Sequence, residues 1–171
     1  LHDRATAGSL CRECAANNNN QLVIRNNRLN YTLRQASTAG GAFTAITAEG
    51  ANLFGASRPL VVIDGNVIHS EVVQPAGTRA ISLLAYDFNG TPIHHVTGNT
   101  VMLDTDEGPA PIHAAYSGAN AGQTAHFVFE GNMLNGQIQT TNAGAATPAT
   151  FKAINCYDEV GAPVGLTDLD P

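Results

Sequence analysis

Six histidines, fourteen acidic side chains and three cysteines are the groups in this 171-residue chain that could do chemistry. His94 and His95 are adjacent, and on a strand neighbouring side chains point to opposite faces, so the two do not reach one ion together without a bulge. His113 and His126 fall on separate candidate strands and His69 follows a turn, so the histidines read as scattered surface or pocket groups rather than a ligand set. No His-Glu-x-x-His, Gly-x-Ser-x-Gly or P-loop pattern occurs. Asp104-Thr105-Asp106-Glu107-Gly108 alternates carboxylates like the opening of a calcium loop. Its glycine comes one position early and no distal glutamate follows at the EF-hand spacing, which favours a polar turn. Asp64, Asp87, Glu130 and Asp158 offer carboxylates for a glycoside-hydrolase pair, yet all four sit in repeated turns, where an acidic side chain already has a structural task. Tyr86 and Tyr157 recur at one turn position and give a weak platform for sugars, with tryptophan absent. The expectation is therefore a non-enzymatic protein with no catalytic, cofactor-binding or metal-ligating residues and no cofactor.

Cys11, Cys14 and Cys156 are odd in number, which leaves at least one thiol outside any intrachain pair. The Cys-x-x-Cys lacks a second half for zinc and lacks the βαβ setting of a redox site. A bridge from Cys11 or Cys14 to Cys156 would tie the N-terminal segment to the last hairpin.

The elements that must position these groups announce themselves by repetition. Val61-Val62-Ile63-Asp64-Gly65-Asn66-Val67-Ile68 is echoed by Phe127-Val128-Phe129-Glu130-Gly131-Asn132-Met133-Leu134, and more faintly by Leu22-Val23-Ile24-Arg25-Asn26-Asn27-Arg28-Leu29. Each is an apolar run, a break containing Gly or Asn, and a second apolar run, as a β-hairpin reads, with Gly65 and Gly131 at positive φ. Downstream of two copies stands Tyr-Asp-x-x-Gly-x-Pro, in Ala80–Ile93 and Phe151–Val164, which would make Tyr86 and Tyr157 equivalent in two superposable hairpins. The copies lie unevenly along the chain, which does not suit a solenoid or propeller. Short candidate strands from Gln21 onward, Gly- and Pro-containing joints, and no long helical stripe predict an all-β protein: a two-layer antiparallel β-sandwich or jelly-roll-like barrel, with internal hairpin duplication as a further expectation. Residues 1–20, ending in Asn17-Asn18-Asn19-Asn20, read as an N-terminal arm, and residues 21–171 as the β-sandwich domain.

Charge narrows the partners. Eight basic against fourteen acidic residues give a net charge of −6, with Lys152 the single lysine. That leaves no basic stripe for phosphates, so nucleic acid and anionic membrane surfaces are disfavoured. No apolar run reaches the roughly 18 residues of a membrane span, and none is expected to insert. Many Ala, Gly, Thr and Asn with little charge suit adhesins, fibre subunits and virion proteins. The leading expectation is a structural subunit of a larger assembly, a virion decoration or tail component or an extracellular filament. It would self-associate as a homo-oligomer or join other structural proteins, in a virion or at the cell surface. A carbohydrate-binding, lectin-like module recognising glycans through Tyr86, Tyr157 and nearby Asn or Asp is the alternative, and a secreted hydrolase comes third. Asn30-Tyr31-Thr32 matches the N-glycosylation triplet.

Overall fold

The computed structural model describes residues 21–32, 44–50, 60–86, 93–106, 108–117, 125–142 and 149–169. Among these residues there are fourteen strands and no helix. In chain order they are β1 (Gln21–Arg25), β2 (Arg28–Tyr31), β3 (Thr44–Gly50), β4 (Leu60–Asp64), β5 (Val67–Ser70), β6 (Arg79–Tyr86) and β7 (Ile93–Thr97). Then come β8 (Thr100–Met102), β9 (Ile112–Ser117), β10 (His126–Glu130), β11 (Met133–Leu134), β12 (Ile138–Asn142), β13 (Thr150–Ile154) and β14 (Leu166–Asp168). They form three sheets, ordered β1-β4-β7-β10-β13, β11-β8-β5-β2 and β14-β12-β9-β6-β3. Every strand-to-strand pairing is parallel. The chain visits the three sheets in turn and repeats, which is a parallel β-helix, a solenoid whose rungs stack along one axis.

This overturns the antiparallel sandwich or jelly roll and restores the solenoid that uneven spacing had argued against. The local reading of the breaks survives in part: Gly65 has φ 64° and Gly131 φ 63°. The chain beyond each glycine, however, is not a returning hairpin strand. It rounds a corner and joins a different sheet. Asn26, Gly65, Gly98, Gly131 and Asn155 occupy the same first corner position, all at positive φ. Successive corners are zipped together: Gly65 N–H donates to the Thr97 carbonyl, Gly98 N–H to Glu130 and Gly131 N–H to Ile154, at 2.9–3.0 Å. At Gly65 a β-carbon would also stand 2.6 Å from the Asn26 Oδ1, so space as well as φ selects glycine there.

The core is filled by side chains in columns, one per rung. Ile46, Ile81, Ile112 and Ile138 pair in register along the third sheet, and all four are buried. Ile63, Val96 and Phe129 line the first sheet, and Ile68, Val101 and Leu134 the second, on registers that continue to Ile24 and Leu29. Period-2 alternation arises because only one face of each strand looks inward. The inner face of β5, for example, buries Ile68 and Ser70 while Val67 and His69 face out.

The expected second-level duplication fails. Ala80 begins in β6 of the third sheet, whereas Phe151 begins in β13 of the first. Tyr86 ends β6, while Tyr157 comes after a corner and bridges to Met133 of β11. Tyr86 and Tyr157 therefore lie at different stations of the helix, on different backbone paths. The arm at residues 1–20 lies outside the described residues.

Candidate functional site

The corners carry a continuous polar ladder inside the molecule. Asn66, Asn99 and Asn132 are buried and stack 33 residues apart. The Asn66 Nδ2 donates to the Asn99 Oδ1 at 3.0 Å, and the Asn99 Nδ2 to the Asn132 Oδ1 at 3.0 Å. Each Oδ1 also accepts the backbone N–H of the preceding asparagine, at 2.9–3.0 Å. Each Nδ2 additionally reaches a carbonyl of the previous rung, Ile24 for Asn66, Ile63 for Asn99 and Val96 for Asn132. Asn27 starts the ladder by donating its N–H and Nδ2 to the Asn66 Oδ1. Cys156 ends it. The Asn132 Nδ2 approaches the Cys156 Sγ at 3.7 Å, and the thiol donates to the Phe129 carbonyl at 3.5 Å. Cys156 is a free buried thiol, which speaks against the bridge to Cys11 or Cys14, both outside the described residues. The ladder satisfies corner groups that burial would otherwise strand, so its role is architectural.

The histidines separate rather than converge. His94 points inward, in register between Val61 and Phe127, and its ring stacks on Phe127 at 4.7 Å, which stacks on Phe151 at 4.9 Å. Neither His94 nitrogen has a hydrogen-bond partner, and burial, with His95 as a minor contributor, lowers its pKa to about 4. His95 shares an outward row with Val62 and Val128 on the first sheet, opposite in direction to His94, as the strand alternation requires. His69 is exposed on the second sheet. His126 bonds Thr150 across one rung. No group of three metal-ligating side chains forms among the described residues.

The carboxylates do not assemble into a pair either. Asp64 is engaged by Arg25 Nε at 3.1 Å and by the Thr97 hydroxyl at 3.0 Å. Glu130 lies in the same outward row two rungs away, with Thr97 between them. Asp158 accepts the backbone N–H groups of Val160 and Ala162, closing its own turn. Asp87 lies outside the described residues. Asp104 accepts from the Asn135 Nδ2, the Asp106 N–H donates to the Gln74 carbonyl and the Gly108 N–H to the Thr105 carbonyl, while Glu107 lies outside the described residues. Tyr157 is exposed and Asn30 lies outward on β2.

One polar cluster stands out, and none of its spacing is visible in the sequence. On the outer face of the third sheet, Thr47, Ser82, His113, Gln139 and Thr167 fall in one register row across five strands. Arg79 lies over this row from the start of β6. Its guanidinium donates to the Gln139 Oε1 at 2.7 Å and to its neighbour's carbonyl, on Thr78, at 3.3 Å. Arg79 is half-buried, and desolvation lowers its pKa. His113 pairs with the Thr141 hydroxyl at 3.2 Å; burial first, and then the Arg79 charge, lower its pKa. The 33-residue recurrence of Gly-Asn could have revealed the ladder, because Gly98-Asn99 completes it. No comparable signal marks Arg79, whose partner Gln139 lies 60 positions away in sequence.

The fold and its corners define a class, the three-sheeted parallel β-solenoids with an internal asparagine ladder. No protein-family model matches the chain, and neither a curated protein nor a solved structure matches it significantly.

Proposed function

We propose that the chain is a non-enzymatic structural subunit of a larger assembly, such as a virion decoration or tail component or an extracellular filament, joined through the N-terminal end of its solenoid. The observation that carries this reading is the state of that end. β1, β2 and β3 are the terminal strands of the three sheets, and no described strand pairs with their outer edges. An unpaired strand edge is a template for another chain, because its N–H and C=O groups lack partners. Asn27 is exposed there, and no described residue donates to its Oδ1. At the opposite end the second sheet is capped by a turn, Tyr157 bridging Met133 and, in antiparallel fashion, Pro163, while β13 and β14 end the first and third sheets there as β1 and β3 do at the N-terminal end.

Native mass spectrometry and electron microscopy of the full chain test the reading, beside a variant lacking residues 1–20 whose folding is checked by circular dichroism. Assembly by the full chain and loss of assembly by the folded truncation are expected. A strictly monomeric full chain refutes it. Tyr86 and Tyr157 sit at different stations of the solenoid, which removes the repeated tyrosine position on which a lectin-like module would rest.

A further inference from the structure

The outer face of the third sheet holds a cation that no described residue neutralises. Arg79 is half-buried, yet its described contacts are neutral acceptors, the Gln139 amide oxygen and the Thr78 carbonyl. The one ion pair among the described residues, Arg25–Asp64, is on another sheet. A guanidinium carries five N–H donors in a planar fork. Two are used here, which leaves three without a protein acceptor among the described residues. Burial without a counter-charge is costly for a cation, and in a chain of net charge −6 acidic groups were plentiful. Arg28 and Lys152 also lack an ion pair among the described residues but are exposed to water, whereas Arg79 is half-buried, so an oxyanion supplied from outside would balance a charge that water reaches only in part.

The surroundings say what carries that oxyanion. Thr47, His113, Gln139 and Thr167 present hydroxyl, imidazole and amide groups along one straight register row, in which Ser82 is buried. Rungs in a sheet lie about 4.8 Å apart, so donors and acceptors repeat at an interval close to one sugar residue of an extended chain. The adjoining register row runs Glu49, Leu84, Ala115, Thr141, and its middle pair, half-buried Leu84 and Ala115, gives low apolar ground for the C–H face of a sugar ring. A peptide ligand would instead seek a strand edge for backbone pairing or pockets for apolar anchors. This is a sheet face, not an edge, and every side chain in the row is polar. A polyphosphate chain would meet a net negative protein with a single unpaired arginine here.

We propose that this face binds an acidic glycan, with Arg79 taking the carboxylate or sulfate of one sugar and the polar row of the third sheet its hydroxyls. The site is independent of the N-terminal end and of whether the chain assembles.

Titration calorimetry of the full chain tests this with three probes: oligogalacturonate, its fully methyl-esterified counterpart and a heparin oligosaccharide. Wild type is expected to bind at least one acidic probe and not the ester. Binding of the oligogalacturonate alone assigns a uronate carboxylate; binding of the heparin oligosaccharide alone assigns a sulfate ester. R79Q is expected to lose affinity by about ten- to a hundredfold, the range for a hydrogen bond to a charged group. Q139E places a carboxylate beside Arg79 without truncating it, and is expected to lose affinity similarly while keeping the fold, checked by circular dichroism. R25Q, on the first sheet, is expected to bind as wild type. The proposal is overturned if neither acidic probe binds wild type, if the ester binds as tightly as the acid, or if folded R79Q and Q139E bind unchanged.

Discussion

His94 makes the stability of this protein sensitive to acid in a way that one substitution should remove. Its ring is 3% exposed, stacked on Phe127, with neither nitrogen hydrogen-bonded. Burial disfavours the imidazolium, so the pKa falls from 6.5 when unfolded to about 4 when folded. A base with a depressed folded pKa binds protons more readily in the unfolded chain, and stability therefore rises with pH between the two values. The contribution is fully present above about 6.5, declines as the pH falls, and levels off below about 4, where both states are charged. A difference of about 2.5 pK units corresponds to about 3.4 kcal/mol lost across that window. Carboxylates and imidazoles in general titrate within this range, so the informative quantity is a difference between variants. Urea unfolding of wild type, H94F and H94L at several pH values from about 4 to about 7 isolates it. Both variants should gain on wild type by about 3 kcal/mol as the solution is acidified, whatever their offset at neutral pH from packing. A gap that stays constant with pH would refute the assignment of His94 as a buried neutral imidazole.

The ladder predicts a position-dependent cost. N99L strands the Asn66 N–H and the Ile63 carbonyl in the interior and should cost about 3 kcal/mol or more, whereas N27L at the exposed end should cost less than about 1 kcal/mol; equal costs in urea unfolding would count against the ladder. G136A should be the worse of two glycine substitutions, because its β-carbon would overlap the Pro109 carbonyl oxygen, while at Gly131 nothing lies within 4 Å and only the positive φ, about 1–2 kcal/mol, opposes alanine. Thermal unfolding ranks the pair, and the reverse order would mean that the chain at Pro109 yields freely. Cys156 should resist alkylation until global unfolding, as residue-resolved mass mapping would show; rapid native labelling would contradict its buried place at the ladder's end.

Local turn chemistry is legible in the sequence and long-range pairing is not. Gly65 and Gly131 are expected at positive φ and have it, because that demand is set by one residue's own backbone. The strand after each glycine is expected to fold back, but a hairpin turn and a solenoid corner make the same local request. The difference lies in the partners: β4 pairs with β1 and β7 rather than with β5. Parallel sheets buried on both faces read as continuous apolar runs. Here strands such as β5, β7 and β10 bury alternate residues only, and so imitate an antiparallel protein. The copy that would have exposed the even 33-residue repeat, Ile93-His94-His95-Val96-Thr97-Gly98-Asn99, is obscured by its two histidines. For the candidate site the loss is greater. Arg79, His113 and Gln139 belong to three different rungs, and only register brings them together.

The ladder also gives the solenoid a direction, which bears on where a neighbour would join. A side-chain amide both accepts and donates, so each asparagine passes the pattern to the next rung: its Oδ1 serves the rung before and its Nδ2 the rung after. A thiol is a weak donor and a weak acceptor and cannot relay in this way. Cys156 receives Asn132 and returns its own proton to the Phe129 carbonyl, a bond back into the preceding rung. Beyond it the chain turns on Asp158, and the Val164 N–H closes onto the Cys156 carbonyl. The pattern is thus terminated chemically at that end. At Asn27 it is interrupted, with an acceptor oxygen exposed toward the rung that would precede it. A further rung placed there would need to offer a backbone N–H and a side-chain amide at its corner, the pair that Asn66, Asn99 and Asn132 each receive from the rung before. That requirement is directional: a neighbour presenting its Cys156 end offers a thiol where an amide is wanted. In the assembly proposed above, a neighbour meeting the N-terminal end would satisfy this oxygen best with amide donors at its own corner, in addition to pairing the edges of β1, β2 and β3.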